Sequence, residues 1–477
     1  MAQTDNYKEL IIYRASTAKH HQRSLAPGLL EEGRKERVSA FQSPDVFFIS
    51  STFLFRAGGA FMGRSSTSVD VAVIGAGPYG LSLAAHLRAR GVEHRIFGEP
   101  MASWKNNMPH GMLLKSYPWA SCLSDPGSEF TVKSFCTERA LPYHDVLTPL
   151  TRERFIEYAE AFRMRYVPTV ESKTLTALEA VGGELRASFD DGETVNARRV
   201  VVAVGLHPFK HLPPNAAHLP AELCSHSGAY GSFESLDGKD ITVVGSGSSA
   251  TDLAALLYER GIPVSLVTRA QQLRFANRPR NRTSVERLVA PLSGIGPGWS
   301  LTACAKYPQL IQMLSEERRI RLANPKALGP LGGAFVKDRV VGKVPMWLGT
   351  SIQSTEIRNG KVQLNLVNAG RPALETDHVI FATGYKIDLS RLGFLNPSLL
   401  RHIRLVEGAP QLSSHYETSV PGLHFIGPAA ANSFGPVCRF VYGTYHPARA
   451  LAQYLSSILV RSRPALQVRP FDRTVSP

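Results

Sequence analysis

Val71-Ala-Val-Ile-Gly75-Ala-Gly77-Pro-Tyr-Gly80-Leu-Ser-Leu-Ala-Ala-His-Leu-Arg-Ala-Arg-Gly91 reads as a strand, a turn and a helix in immediate succession. Four apolar residues predict a short buried strand, three glycines turn it, and an apolar-striped helix runs on to Gly91. Gly75 permits the tight turn, Gly77 leaves the backbone open to a pyrophosphate, and Gly80 lets helix and strand pack closely. The N-terminus of such a helix points free N–H groups at phosphates. His94-Arg-Ile-Phe97 predicts the next strand, with Gly98-Glu99 at its end, where an acid would hold an adenosine ribose. A glycine turn from some other α/β protein is the alternative. Strand, turn, helix and second strand in this order favour a dinucleotide site.

A second copy strengthens that reading. Ile241-Thr-Val-Val-Gly245-Ser-Gly247-Ser-Ser-Ala250-Thr-Asp-Leu-Ala-Ala-Leu-Leu repeats the pattern, and Pro263-Val-Ser-Leu-Val-Thr268-Arg269 repeats the following strand. Here the third glycine is Ala250, and the strand ends in Thr268-Arg269 rather than in an acid. An acid would repel a 2′-phosphate, whereas Arg269 pairs with one bidentately, unless it is only a surface charge. The first site therefore suits FAD and the second NADPH. The expected fold is α/β, with two Rossmann-like domains and the NADPH domain inserted into the FAD domain.

With 477 residues, 43% hydrophobic and 19% charged, the chain has room for two or three domains. Between Arg269 and Lys343 there are fourteen Lys/Arg against four Asp/Glu, so much of the +15 net charge lies in and after the second motif. Attraction of a polyanionic cofactor accounts for it. No aromatic interleaving or nucleic-acid module accompanies these charges, which argues against nucleic-acid binding. Cys122, Cys136, Cys224, Cys304 and Cys438 form no CxxC. Scattered, odd-numbered cysteines imply reduced thiols and a cytoplasmic setting, and they exclude a flavoprotein that reduces disulfides through an adjacent pair. No metal-ligand pattern is present.

Residues 1–67 read as an extension. Its apolar patch, Val46–Phe55, is too short and too polar to span a membrane, and no integral membrane segment is expected. Met62 makes a natural beginning, so the extension is expected to be disordered or a mis-assigned start. The FAD domain is expected over 68–212 and 346–460, the NADPH domain over 213–345, and a flexible tail over 461–477. Within them, 101–126 reads as a loop rich in Trp, Met, Gly and Pro. Arg152–Arg165 reads as a helix. Leu175–Leu178 with Glu184–Phe189, and Ile352–Ile357 with Lys361–Val367, read as hairpins. The buried strands Arg199–Gly205 and His378–Tyr385 end alike, in Gly205 and Gly384. A helix is expected over Val437–Leu459, its N-terminal dipole a second candidate for the flavin.

From about Val69 to Leu459 the chain resembles the flavin-containing and N-hydroxylating monooxygenases. The resemblance rests on Gly75–Gly80, Gly245–Ala250, Ala382-Thr-Gly-Tyr385 and Phe425-Ile-Gly427, in that family's order. Met108–Ser116, Leu219–Ser227 and Phe434–Phe440 resemble a bacterial subgroup to which a urate-hydroxylase-like activity is attributed. There are departures. Of the family's FxGxxxHS only His226-Ser227 survives, with Pro220 and Glu222 in place of Phe and Gly. Glu99 falls one residue late, and no Asn occurs in 113–125.

The resemblance implies that NADPH reduces FAD and that the reduced flavin meets O2, forming a C4a-(hydro)peroxyflavin that oxygenates a small molecule, with no metal. Gly75, Gly77, Gly80 and Glu99 would hold FAD. Gly245, Gly247, Ala250, Thr268 and Arg269 would hold NADPH, and Thr383, Gly384, Gly427 and Gly435 would close the two sites. Trp104, Lys115 and Ser116 would line the flavin, although core packing is an equal reading of the tryptophan. His226 would meet cofactor at the domain junction, or be structural. A reductase or oxidase without hydroxylation, and a nucleotide-sensing flavin-binding protein, are the alternatives. A homo-oligomer is left open.

Overall fold

Val69, Val71, Ala72 and Val73 are each 4% exposed or less, which is why residues 66–74 form a central strand rather than an edge. In the computed structural model, residues 66–324, 331–368, 370 and 373–459 are described. Strand β1 (Ser66–Ile74) leads through the glycine turn into α1 (Pro78–Ala89) and then β2 (His94–Phe97). Pro78 sits at the first helical position, where its missing N–H costs nothing. After α2 (Ala102–Asn106) come α3 (Val132–Glu138) and α4 (Arg152–Tyr166), capped by the side chains of Thr131 and Thr151. Strands β3 (Leu175–Val181), β4 (Glu184–Phe189) and β5 (Thr194–Val202) then form an antiparallel meander.

The chain next builds a second lobe. It contains β6 (Cys224–His226), β7 (Ile241–Val244), α5 (Ser248–Glu259), β8 (Val264–Val267) and β9 (Met346–Trp347). An antiparallel three-stranded sheet follows, β10 (Ser351–Arg358), β11 (Lys361–Val367) and β12 (Ala373–Thr376), and leads into β13 (His378–Phe381). Asn359 and Gly360 turn the β10–β11 hairpin with φ of 51° and 76°, the left-handed pair a tight hairpin requires. Last come β14 (Leu423–Phe425) and α6 (Tyr445–Leu459), the latter packed on α1.

Two sheets result. The first runs β2-β1-β5-β4-β3, and β14 joins it parallel to the C-terminal end of β5, with Phe425 opposite Val202. The second runs β9-β8-β7-β13-β6 and is parallel throughout. The second sheet thus lies in sequence between β5 and β14, the insertion that the two motifs predict.

Several boundaries differ from expectation. Strand β1 begins at Ser66, inside the expected extension; residues 1–65 and the expected tail, 461–477, lie outside the described residues. The boundary placed at 346 falls inside the second sheet, because β9 and β13 both pair there and only β14 returns to the first. Parallel partners are joined by long crossovers, so glycine and proline content does not locate such a boundary. The stretch 101–126 is not wholly loop: it holds α2 and a 3-10 turn, Pro118–Ser121. The strand expected over 199–205 leaves the sheet after Val202. The helix expected from Val437 begins at Tyr445, behind two 3-10 turns over 436–444. Its first residues are held otherwise, because the Tyr79 hydroxyl lies 2.9 Å from the carbonyls of both Cys438 and Phe440.

Candidate functional site

At the first turn the three glycines serve different ends. Gly75 has φ of +112°, and a Cβ there would come 2.5 Å from Ala203 O. A Cβ on Gly80 would come 1.8 Å from Gly75 O, so only glycine lets α1 rest on the turn. A Cβ on Gly77 would meet nothing within 4 Å. Two glycines are therefore required by the protein's own packing, and the third opens onto free space at a helix N-terminus. That space suits a phosphate.

The elements around this turn were brought there from far along the chain. Gly427 (φ +78°) lies over the Tyr79 ring, where a Cβ would be 3.4 Å away. Burial raises the Tyr79 phenol well above its ordinary range, so it stays protonated and donates to the 438–440 loop. Gly435 (φ +83°) faces Ile311, whose Cδ1 would be 2.2 Å from a Cβ. Glu99 is exposed just past β2, with the Lys105 ammonium 3.8 Å away.

The second turn repeats the geometry. Gly245 has φ of +150° and no room for a Cβ against Ala382 O, 2.5 Å away, while Gly247 caps α5. Ala250, in the third glycine's place, is fully buried. Thr268 is locked by backbone: its N–H donates to Trp347 O at 2.9 Å and its Oγ1 accepts from Ala270 N at 3.1 Å. Arg269 is exposed and makes no ion pair among the described residues. A cavity of about 520 Å³ opens nearby in the same lobe, lined by Leu273, Phe275, Arg278, Asp338, Met346 and Leu348.

One turn into α5 stands Asp252, which accepts from Ser248 Oγ at 3.2 Å. Burial raises its carboxyl to about 7, against the opposing charges of Arg339 and Lys115. Lys115 comes from the first lobe. It donates to Leu331 O at 2.7 Å, and burial lowers its pKa. The 105–115 stretch docks on the second lobe elsewhere as well. His110 N–H donates to Gly231 O at 3.0 Å, and a Cβ on Gly231 would come 3.0 Å from the carbonyls of Lys105 and Asn106.

His226 is clasped at the end of β6. Its Nδ1 accepts from Gly228 N at 3.0 Å, so Nε2 carries the proton and donates to Gly384 O at 2.8 Å. Burial lowers its pKa to about 4, which fixes the neutral ring. Thr383 Oγ1 donates to His211 O.

The structure gathers Gly75, Gly77, Gly80 and Gly427 around one turn, and Gly245, Gly247 and Ala250 around the other. It also joins His226 to Gly384. Trp104 instead packs on Phe155 with ring centroids 4.4 Å apart, and the Ser116 hydroxyl is engaged with Ser121 at 2.8 Å. Three residues went unpredicted. Tyr79 lies within the glycine motif and could have been singled out there. Arg152, whose buried guanidinium reaches Trp104 O and His110 Nδ1, and Asp252 carry no sequence signal.

Comparison with known proteins agrees with this geometry. The family described as L-lysine 6-monooxygenase/L-ornithine 5-monooxygenase matches residues 67–285. The chain is 32% identical to the indole-3-pyruvate monooxygenase YUCCA1 of Oryza sativa subsp. japonica, over 68% of this chain and 78% of that one. It is 26% identical to the L-ornithine N(5)-monooxygenase of Ajellomyces capsulatus, over 70% and 78%. The ornithine N-hydroxylase KtzI of Kutzneria sp. 744 shares the fold, with a TM-score of 0.65 at 17% identity, covering 82% of this chain and 100% of that one. With two glycine turns, each closing a parallel strand pair, and a relative this similar over most of its length, the chain belongs to the flavin-dependent monooxygenases, oxidoreductases that work with FAD and NADPH.

Proposed function

We propose that FAD lies over the first turn, held by Gly75, Gly77, Gly80 and the α1 N-terminus, with Glu99 toward its ribose. NADPH then lies over the second, held by Gly245, Gly247, the α5 N-terminus and Arg269. The single observation that carries this division is the contrast at the two strand ends. The first ends in an acid, Glu99, and the second in Arg269, an exposed guanidinium with no carboxylate of its own among the described residues. Bound flavin supplies the redox and oxygen chemistry; the protein's part is to bind, to orient and to exclude water.

On this reading the substrate is a small molecule with a nucleophilic amine or a carbonyl, the two groups met in the relatives' names. We also infer a reducing, cytoplasmic setting, supported by five free cysteines; no described helix is long and apolar enough to cross a membrane. The reductase-or-oxidase alternative differs in one readout, hydrogen peroxide equal to the NADPH consumed whatever substrate is offered.

Arg269→Ala tests the cofactor assignment. A bidentate guanidinium–phosphate contact is worth about 1.5 to 3 kcal/mol, so kcat/KM for NADPH is expected to fall about tenfold to a hundredfold while that for NADH is nearly unchanged. Equal losses for both cofactors would refute it.

A further inference from the structure

The short helix Ser284–Val289 is amphipathic in the inverted sense. Val285, Leu288 and Val289 recur at the spacing of one helical face, and that face points to solvent, each residue 69–72% exposed. The acid of this helix is engaged elsewhere: the Glu286 carboxylate accepts from Thr283 N–H at 3.0 Å and pairs with Arg280. Trp299, 62% exposed, extends the apolar face, its indole N–H donating to Leu288 O at 3.1 Å. From Trp299 the row continues through Ala303 and Tyr307, one helical turn apart each time, to Leu310, all of them exposed.

The segment behind this row is fastened down. Gly298 N–H donates to Pro291 O at 2.9 Å, Gln312 donates to Leu412 O and Ser413 O at 3.3 and 3.1 Å, and Ile311 packs inward against Gly435. A fixed apolar row left in water marks an interaction surface. Charge says what it meets. From Arg278 to Arg321 eight Lys/Arg stand against three Asp/Glu. Arg287, beside Leu288, and Lys306, beside Tyr307, are exposed and make no ion pair among the described residues. Apolar and aromatic residues with free cations along them complement the headgroup boundary of an anionic bilayer. A second copy fits less well, because a two-fold contact would bring the cations of both patches together while Glu286 is already engaged.

We propose that this face docks the protein on an anionic lipid surface, with Val285, Leu288, Val289 and Trp299 entering the boundary between headgroups and acyl chains and Arg287 and Lys306 meeting headgroup phosphates. The inference goes beyond the monooxygenase reading and stands whichever cofactor lies over which turn.

The test mixes the FAD-loaded full chain with vesicles of phosphatidylcholine alone or of equimolar phosphatidylcholine and phosphatidylglycerol, and follows co-sedimentation and tryptophan emission. Binding to the anionic vesicles is expected to be tighter by about tenfold or more and to weaken as salt is raised. Trp299 is the exposed one among four tryptophans, so emission should shift to the blue on binding. Trp299→Phe should remove that shift and leave most of the binding in place. Leu288→Glu is expected to lower the affinity about tenfold or more. Arg287→Gln combined with Lys306→Gln should lower affinity for the anionic vesicles about tenfold or more and leave the weaker binding to neutral ones unchanged. FAD content and melting temperature should match the parent in every variant; if Leu288→Glu loses FAD, the double variant carries the test. Absence of co-sedimentation with anionic vesicles overturns the proposal. So does binding that survives both the Leu288 and the double variant, which places the contact elsewhere on the chain. A lipid-free dimer that Leu288→Glu converts to monomer also overturns it, and assigns the face to a second copy.

Discussion

Gly77 and Gly80 stand three residues apart and answer to different constraints. The backbone of Gly77 is ordinary extended chain (φ −85°), and a Cβ would have open space around it. Gly77→Ala should therefore leave the apoprotein's stability within about 1 kcal/mol of the parent while FAD affinity falls about tenfold or more, since a phosphate must approach the backbone there. Gly80→Ala drives a methyl group into Gly75 O and should destabilise the fold itself by about 3 kcal/mol or more. Thermal unfolding with and without added FAD separates the two. If both substitutions lower apoprotein stability alike, the open space at Gly77 does not have the meaning given to it.

Among elements, the His226 clasp ties β6 to the loop after β13. Its folded pKa of about 4 lies below the ordinary value near 6.5. The unfolded chain therefore binds the extra proton first. Stability is fully present above pH 6.5 and is lost as pH falls toward 4. His86 and His424 are also lowered to about 4, so acid sensitivity is shared. His226→Gln should reduce the steepness of the decline by at most about 1.4 kcal/mol per pH unit, read from melting temperatures between pH 7 and pH 5. An unchanged slope would mean that the ring is not held neutral. The clasp also marks where sequence reading stops. A histidine at 226 was visible, and so was Gly384. Their hydrogen bond depends on β13 entering the second sheet between β7 and β6, which no local periodicity reports.

For the whole molecule, the two glycine turns and both hairpins were legible because each is local, set by residues within about twenty positions of one another. What sequence missed was assembled across distance. Val437–Phe440 has apolar and helix-compatible residues, yet Tyr79, some 360 positions earlier, holds their carbonyls. Trp104 looked equally suited to cofactor and core, and its packing on Phe155 is a long-range contact of the same kind. The lobes also meet through such contacts, which gives a prediction at this scale. Gly231→Val should wedge the 105–106 carbonyls away from the second lobe without touching either turn. FAD content should stay full, while reduction of the flavin by NADPH slows by about tenfold to a hundredfold, as expected when bound partners are displaced by about 1 Å. Unchanged stopped-flow reduction would show that the 105–115 stretch does not set the spacing of the lobes.

The pairing of β14 with β5 has a consequence for how the protein is made. A ribosome releases β5 with its C-terminal half lacking a neighbour, and that neighbour is synthesised about 220 residues later. At roughly 5 to 20 residues per second, the nascent first sheet waits about 10 to 45 seconds for its last strand. The second lobe emerges in the interval, and its own sheet closes only when β13 arrives. Neither nucleotide turn is backed by a finished sheet until late in translation, so the capacity to hold a cofactor is gained near the end of synthesis rather than lobe by lobe.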